Sequence, residues 1–225
     1  MILPVFARRP IVGYPYQWWW EVQYLERDGR EQVTTANEIH VPVGRPVELD
    51  VISREVIHSF WVPQLHGKID LVPGQVNRMR LVVDQPGTYR GQCAEFCGLQ
   101  HAHMSLLVIG DPEDQFEAWL ARERARPLRR RRPTPRRVSR SFCRRPASRV
   151  TRCAGRPALA RLGPDLTHVA SRRSITAGTL PNDTADLEAW ITHAQSLEPG
   201  VTMPDLPQFT GKDLRNLVAY VQSLK

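Results

Sequence analysis

The 225-residue sequence contains no long hydrophobic run. A helix that spans a membrane needs about 20 consecutive, mostly apolar residues, and no segment of the chain approaches that length. The first residues, MILPVFARRPIVG, also lack the continuous apolar core of a signal peptide, because Arg8 and Arg9 interrupt them. The sequence as written therefore predicts neither a membrane span nor a leader peptide.

Acidic residues and lysine are nearly absent from one stretch, which accounts for the charge of the whole chain. Residues 121–161 contain 16 arginines, no lysine and a single acid, Glu123. Outside this stretch 15 basic residues remain against 22 acidic ones, although the formal net charge of the chain is +8. The basic balance therefore belongs to one segment, and no nucleic-acid partner is expected from it.

Cysteine is scarce, but two of the four cysteines lie in one dense motif, CAEFCGLQHAHM, at residues 93–104. Cys93 and Cys97 are followed by His101 and Met104, and His58 lies upstream at the end of a strand-like run. Two thiolates, two imidazoles and a thioether form a soft ligand set, which suits copper rather than calcium or magnesium. A mononuclear blue-copper site needs only one cysteine, so the second cysteine permits both sulfur atoms to bridge two metal ions.

Two other interpretations of this motif are a disulfide and a structural zinc site. So short a Cys-x3-Cys loop is hard to close as a disulfide at a strand end. Zinc favours closed tetrahedral Cys/His sets, has little use for Met104, and is most often bound at tighter spacings. The remaining histidines have no comparable support. We expect His66 and His103 at the surface or near the metal without binding it, and His40 on the surface of a strand.

These motifs resemble the copper-A domain of cytochrome c oxidase subunit II. The matching stretches are HSFWVPQLHGKIDLVPGQVN, GQCAEFCGLQHAHM and the aromatic QWWWEVQY at residues 17–24, and the resemblance covers about residues 11–120. It implies that two copper ions are held by the side chains of His58, Cys93, Cys97, His101 and Met104. Glu95 would bind copper through its backbone carbonyl group.

The resemblance also implies partners and a location. The carboxylate of Glu95 would reach a magnesium ion shared with oxidase subunit I, Asp70 would lie near the same interface, and Trp18 would receive electrons from cytochrome c. The chain would associate with subunit I and the other oxidase subunits, at a bacterial cell membrane with the copper domain on the periplasmic or outer face. Oxygen reduction and proton pumping would occur in subunit I, so no catalytic residue is assigned to this chain.

Alternating apolar residues predict a small all-β domain before residue 120. Strand-like runs cover residues 39–43, 47–52, 76–83 and 105–109, and Pro-Gly pairs at residues 73–74 and 86–87 predict turns. Short strands of this kind are typical of a Greek-key sandwich or barrel, and the resemblance implies a cupredoxin fold. Asp111 and Pro112 predict the start of a helix, which would pack through Phe116, Trp119 and Leu120.

After the arginine-rich stretch the sequence predicts a smaller helical region. Helices are expected at residues 184–194 and 210–224, the second opened by a capping box at Thr210 and Asp213. GPDLTHVASR and GVTMPDLPQFTGKDLRNLVAYVQSLK resemble the latter part of the c-type cytochrome that is fused to subunit II in caa-type oxidases. Met203 matches the axial methionine of that family, whereas His168 is expected to be a structural or surface residue.

These features predict four regions along the chain. Subunit II normally enters its copper domain from two transmembrane helices, so the first region is interpreted as the end of a missing membrane anchor. The others are a cupredoxin copper-A domain, an arginine- and proline-rich linker, and the cytochrome c-like remnant. Their predicted bounds are 1–16, 17–120, 121–161 and 162–225.

The expected haem c has no attachment motif in this sequence. Covalent attachment needs C-x-x-C-H, but Cys143 and Cys153 lie ten residues apart and neither precedes a histidine. The missing motif would fall in the arginine-rich stretch, just before family-like sequence resumes. We interpret residues 125–160 as the product of two compensating frameshifts, and a natural basic, disordered linker is the alternative.

Three functions from different classes fit parts of the sequence. The leading one is an electron-relaying subunit of a haem-copper terminal oxidase. A second is nitrous oxide reductase, whose C-terminal domain has the same copper motif, but seven histidines cannot supply the large histidine-rich propeller of that enzyme. The third is a zinc- or nucleic-acid-binding module that uses the arginine-rich run.

Overall fold

The computed structural model describes residues 11–26, 28–125 and 162–225. The chain divides into two compact units, with the boundary between Arg124 and Ala125. Most of the arginine-rich stretch, including Cys143 and Cys153, lies outside the described residues, as does most of the predicted membrane-anchor remnant. The frameshift and linker interpretations therefore stay predictions.

The first unit is built from two five-stranded sheets. The first sheet has the strand order β3-β2-β1-β5-β8, and its members in chain order are β1 (Ile11–Tyr16), β2 (Trp19–Leu25), β3 (Glu31–Ala36), β5 (Val47–Val51) and β8 (Asn77–Leu81). The second sheet has the order β4-β10-β9-β6-β7, from β4 (Glu38–Pro42), β6 (His58–Trp61), β7 (Ile69–Leu71), β9 (Gly87–Cys93) and β10 (Ser105–Asp111). The two sheets share one hydrophobic core and form the mainly β sandwich that the sequence predicted.

Side-chain alternation explains why these segments form a sandwich. In β5, Leu49 and Val51 are buried and Val47 is half-buried, whereas the intervening residues are more exposed, so one face of the strand points to the core. Most neighbouring strands are antiparallel, but β1 runs parallel to β5 and β4 runs parallel to β10. The predicted turn at residues 73–74 is confirmed, since Gly74 has φ +82° and follows Pro73 between β7 and β8.

Helix α1 (Glu113–Arg124) packs on the sandwich through the three residues that the sequence indicated, Phe116, Trp119 and Leu120, all of which are buried. The prediction that His40 lies on a strand surface is wrong. Its imidazole stacks on the ring of Trp119, with centroids 4.2 Å apart, and its Nδ1 atom lies 2.6 Å from a carboxylate oxygen of Asp111. The helix covers this strand face, which a reading of the strand pattern alone could not show.

The second unit is mainly helical and has its own hydrophobic core. Helix α2 (Thr184–Leu197) and helix α3 (Gly211–Val221) confirm the two predicted helices, and a two-stranded sheet joins β11 (Ser174–Ile175) to β12 (Leu180–Pro181). The core consists of residues from both helices and from the segments that flank them, including Val169, Leu187, Ile191, Leu217, Val218 and Leu224. His168 is buried, so of its two predicted roles the surface one is wrong.

The two helices of this unit begin differently. At α2 the carboxylate of Asp183 accepts a hydrogen bond of 2.9 Å from the Asp186 amide, which satisfies a free donor of the first turn. At α3 the predicted capping box is wrong, because the side chain of Thr210 makes no capping hydrogen bond. The Asp213 amide is already bonded to the Thr210 carbonyl oxygen at 3.1 Å, so it does not need the hydroxyl group.

Among the helices of residues 11–26, 28–125 and 162–225, none combines the length and the apolar character needed to cross a membrane.

Candidate metal centre

The candidate ligands meet at one end of the second sheet. Cys93 is the last residue of β9, and a loop of residues 94–104 leads from it to β10. The Cys93 amide closes this loop by a 2.8 Å hydrogen bond to the Met104 carbonyl oxygen. His58 opens β6, which pairs antiparallel with β9 in a register that places Phe60 opposite Cys93. The sheet therefore brings a histidine from a distant part of the sequence beside the loop.

The structure places the sulfur and nitrogen atoms of five predicted ligands close together. The Sγ atoms of Cys93 and Cys97 are 3.8 Å apart, and the Nδ1 atom of His58 lies 3.7 Å from Cys93 Sγ. His101 Nδ1 and Met104 Sδ lie 3.6 and 3.8 Å from Cys97 Sγ. Both cysteines are free, and since a disulfide needs an S–S distance of about 2.05 Å, the disulfide interpretation does not describe this arrangement.

A backbone group joins the cluster. The carbonyl oxygen of Glu95 lies 3.2 Å from Cys93 Sγ, which is the group that the sequence comparison with the copper-A family implied. The Glu95 side chain points elsewhere, and one of its carboxylate oxygens is 3.9 Å from Lys68 Nζ. The carbonyl oxygen and the carboxylate of Glu95 can therefore serve two different groups.

The cluster is shielded from water. His58, Cys93, Cys97 and Met104 are at most 4% exposed, and Trp20 packs beside His58 with ring centroids 6.3 Å apart. His101 is half-buried and contacts the exposed ring of Phe96 at a centroid distance of 5.8 Å. Burial of the ligand side chains would limit their rearrangement when a bound metal changes its charge.

The two thiols share their protons unequally. The hydrogen bond between the two sulfur atoms lowers the pKa of Cys93 to about 3, against the effect of burial, and a further contact with His58 acts in the same direction. The same sulfur–sulfur hydrogen bond, together with burial, raises the pKa of Cys97. Because metal-bound cysteine is a thiolate, metal binding would displace the proton that Cys97 retains.

The donor set distinguishes between the candidate metals. His58, Cys93 and Cys97 offer ligand atoms that all lie within 4.8 Å of one another, and the thioether of Met104 is buried against the same sulfur. Thiolate, imidazole and thioether ligands together favour copper, whereas structural zinc sites are closed sets of four cysteine and histidine ligands. The residues present therefore fit a copper centre to which both cysteine sulfur atoms would contribute.

Two residues of the hairpin turn between β1 and β2 contact the loop of residues 94–104, here called the ligand loop. Trp18, which the sequence placed at the point where electrons enter, donates a 2.9 Å hydrogen bond from its indole Nε1 to the Cys97 carbonyl oxygen. Gln17 donates a second hydrogen bond of 2.7 Å to the same oxygen. The sequence analysis missed Gln17, because the hydrogen bond joins residues 80 positions apart and no local pattern marks it.

Asp70 and Glu95, the two acids expected near magnesium, both lie close to the ammonium group of Lys68. Lys68 Nζ lies 2.9 Å from an Asp70 carboxylate oxygen and 3.9 Å from Glu95. The hydrogen bond from Lys68 lowers the pKa of Asp70, and a weaker one from Ser59 acts in the same direction. These side chains are about half-exposed. The lysine, which the sequence analysis did not single out, neutralises part of their charge.

Within the second unit, Met203 lies on a loop that is held by hydrogen bonds to Gln195. The side-chain Nε2 atom of Gln195 donates to the carbonyl oxygens of Val201 and Met203, both at 2.7 Å. The backbone amide of Gln195 donates a 2.7 Å hydrogen bond to the Asp205 carboxylate. Met203 is half-buried against the core of this unit. The loop is therefore ordered by polar contacts among the described residues.

Comparison with known proteins matches this site to one family. The sequence model of the cytochrome c oxidase subunit II periplasmic domain matches residues 20–110. The chain is 37% identical over 214 residues to cytochrome c oxidase subunit 2 of Alkalihalophilus pseudofirmus, covering 93% of this chain and 59% of the relative. It is 32% identical over 219 residues to the subunit 2 of Bacillus sp. PS3, covering 93% and 60%.

Two further comparisons cover about half of this chain. Cytochrome c oxidase subunit 2 of Apis florea is 32% identical but covers only 53% of this chain, so the matches to the two bacilli extend further along the sequence. The solved periplasmic domain of subunit II from Bradyrhizobium japonicum is 26% identical and covers 54% of this chain and 96% of its own, with a TM-score of 0.48. The chain spans about 60% of the length of the bacterial relatives that it matches.

Proposed function

We propose that the chain is the electron-relaying subunit of a haem-copper terminal oxidase. In this role it accepts electrons from cytochrome c through a binuclear copper-A centre and passes them to haem in subunit I, where oxygen is reduced. The proposal is supported by the match of residues 20–110 to the model of the cytochrome c oxidase subunit II periplasmic domain. The observation that carries the proposal is the convergence of Cys93 and Cys97, with Sγ atoms 3.8 Å apart, on two imidazoles and a thioether.

Each ligand has a distinct part in holding the metal. The thiolates of Cys93 and Cys97 and the Nδ1 atoms of His58 and His101 would be the strong ligands of the copper ions, and the Met104 thioether and the Glu95 carbonyl oxygen would be weaker ones. Bound copper supplies reversible one-electron chemistry. The protein contributes burial of the ligands and the fixed geometry of a loop tied at both ends to β9 and β10.

The turn that carries Trp18 supplies a path for electrons to the ligand loop. The indole ring is half-buried, and its Nε1 atom is hydrogen-bonded to the carbonyl oxygen of Cys97. One side chain therefore links the molecular surface to a copper ligand through a single hydrogen bond. We place the acceptance of electrons from cytochrome c at this ring.

Partners and location follow from the same proposal. Subunit I would lie against the face that holds Glu95 and Asp70, and the Glu95 carboxylate would hold magnesium shared by the two subunits. Lys68 lies beside both acids, so its contact with Glu95 would have to be released to admit the divalent cation. The copper domain lies on the periplasmic or outer face of a bacterial cell membrane, held there through subunit I and the anchor that precedes the domain in the family.

Haem c does not fit the sequence of this chain. The C-x-x-C-H motif is absent from all 225 residues, so no thioether attachment can form in the usual way. Met203 thus has no haem assigned to it, and no electron-transfer step is routed through the second unit. We propose that electrons reach the copper centre directly from a separate cytochrome c.

Metal analysis of the purified chain tests the proposed function. After reconstitution with copper, mass spectrometry should give two copper ions per chain, and the near-infrared band of mixed-valence copper should appear. The matched control is the same protein exposed to zinc under identical conditions, which should give no such band. A protein that retains zinc and takes up no copper would contradict the proposal.

A further inference from the structure

The hairpin turn of the first sheet is bonded to the ligand loop of the second sheet through one carbonyl oxygen. Gln17 and Trp18 form the turn between β1 and β2, where Tyr16 pairs with Trp19. Both side chains point at the Cys97 carbonyl oxygen, with donor–acceptor distances of 2.7 Å for Gln17 Nε2 and 2.9 Å for Trp18 Nε1. A carbonyl oxygen has two lone pairs, so the two donors fill its hydrogen-bonding capacity.

The contact between the turn and the loop is too close for a larger residue at position 98. A Cβ atom on Gly98 would lie 2.9 Å from the Trp18 ring and 3.0 Å from Gln17 Nε2, and Gly98 has φ +113°. A side chain is strained at this φ and has no space against the turn. Glycine therefore lets the backbone of the ligand loop lie directly against the two donors.

Cys97 is the residue through which such a contact would act on the metal centre. Its sulfur atom lies 3.8 Å from the sulfur atoms of both Cys93 and Met104 and 3.6 Å from the His101 imidazole. The sulfur atom of Cys97 thus contacts predicted ligands on both sides of it in the sequence. A hydrogen bond that fixes its backbone therefore bears on the geometry of the whole cluster.

We propose that Gln17 is a positioning residue for the copper ligand Cys97, and that its hydrogen bond raises the reduction potential of the centre. Donation to the carbonyl group withdraws electron density from the residue that supplies a bridging thiolate, which favours the reduced metal. Trp18 donates to the same oxygen but also packs its ring on the core. Gln17 contributes chiefly its amide, so the effect of the hydrogen bond can be isolated there. The inference rests on the proposed copper-A function.

The hydrogen bond itself can be measured in the metal-free protein. Cys97-Gly98 is the only Cys-Gly pair in the 225-residue sequence, so labelling with carbonyl-13C cysteine and 15N glycine yields a single HNCO cross-peak. In Gln17→Met, which keeps the length of the side chain and removes the donor, the carbonyl signal should move upfield. The matched control is Gln75→Met at an exposed glutamine of the same unit, which should leave the signal in place.

The reduction potential of the copper-loaded protein tests the second half of the proposal. The potential of Gln17→Met should be more negative than that of the unaltered chain, and that of Gln17→Glu should be lower still, because a carboxylate brings negative charge to the same position. Copper content and the near-infrared band should be retained in both. Gln75→Met should have the potential of the unaltered protein.

The outcomes separate a failure of this inference from a failure of the proposed function. An unaltered chain that binds no copper contradicts the copper-A function, while the HNCO result still decides whether Gln17 donates to Cys97. An unmoved cross-peak in Gln17→Met overturns the positioning role. A lower melting temperature with an unchanged potential would show a merely structural role for Gln17 and would also overturn the inference.

Discussion

The Sγ atom of Cys93 lies 3.8 Å from the Sγ atom of Cys97, although one residue ends a strand and the other lies within a loop. The distance is too long for a disulfide and suits two thiolates that hold metal ions between them. The loop brings the two sulfur atoms to this distance because the Cys93–Met104 backbone hydrogen bond fixes its two ends. The hydrogen bonds from Gln17 and Trp18 to the Cys97 carbonyl oxygen fix its middle.

Replacement of Cys97 by serine should abolish the binuclear site. A hydroxyl group is a poor substitute for a bridging thiolate, so copper content should fall below two ions per chain and the near-infrared band should vanish. Ala94→Ser is the matched control, since it adds a hydroxyl group to the same loop and removes no sulfur atom. A Cys97→Ser protein with unaltered stoichiometry and spectrum would be inconsistent with the bridging role.

Met104→Leu should keep copper and change its reduction potential. The side chain is 1% exposed, and leucine has a similar volume, so the loss of unfolding free energy should be below about 1.5 kcal/mol. An axial thioether tunes a copper site more than it holds the metal. Redox titration beside metal analysis checks this. Loss of both copper ions would instead make Met104 essential for retention.

Trp18→Ala should slow reduction by cytochrome c and leave the copper spectrum intact. The residue is half-buried in a turn, whereas the neighbouring Trp19 and Trp20 are buried strand residues, so less stability should be lost than the roughly 3–5 kcal/mol typical of a buried tryptophan. Stopped-flow reduction beside a thermal melt separates the two effects. Trp18→Phe is the control, because it keeps an aromatic ring and removes the N–H donor. An unchanged rate of reduction in Trp18→Ala would show that Trp18 is not part of the electron path.

Glu198 should make the stability of the second unit depend on pH. Burial raises the pKa of its carboxyl group from 4.5 to about 7. Since the folded unit prefers the protonated form, this contribution to stability is fully present below about pH 4.5 and is lost as the pH rises through 7. Thermal melts of Glu198→Gln should show a smaller decline in stability over that window, whereas Glu188→Gln within the preceding helix α2 should resemble the unaltered chain. Equal declines in all three would refute the assignment.

The chain should not attach haem when it is expressed with the haem-maturation machinery. Covalent attachment needs two cysteines and an adjacent histidine, and this arrangement is absent from the sequence. A haem-stained denaturing gel, with an ordinary c-type cytochrome expressed in parallel, gives the readout. A stained band would be incompatible with the prediction, and a C-x-x-C-H codon string in another reading frame of the gene would support the frameshift interpretation.

Much of the fold was predictable from local sequence. The alternation in VELDVI placed Leu49 and Val51 in the core, and apolar spacing placed Phe116, Trp119 and Leu120 on the buried face of α1. Such predictions succeed because strand and helix periodicities are local properties. The surface assignment of His40 failed because its imidazole contacts Trp119 of α1 and Asp111 at the end of β10, both more than 70 residues later.

The spacing of CAEFCGLQHAHM and the upstream HSFWVP were sufficient to indicate a soft-metal site and its ligands, because the ligand types and their order are properties of the chain itself. The hydrogen bonds of Gln17 and Trp18 to Cys97, and the contact of Lys68 with Glu95, were decided only by tertiary structure. These groups are 80, 79 and 27 residues from their partners, and they meet because the register of two packed sheets brings a hairpin turn and a strand end to one loop.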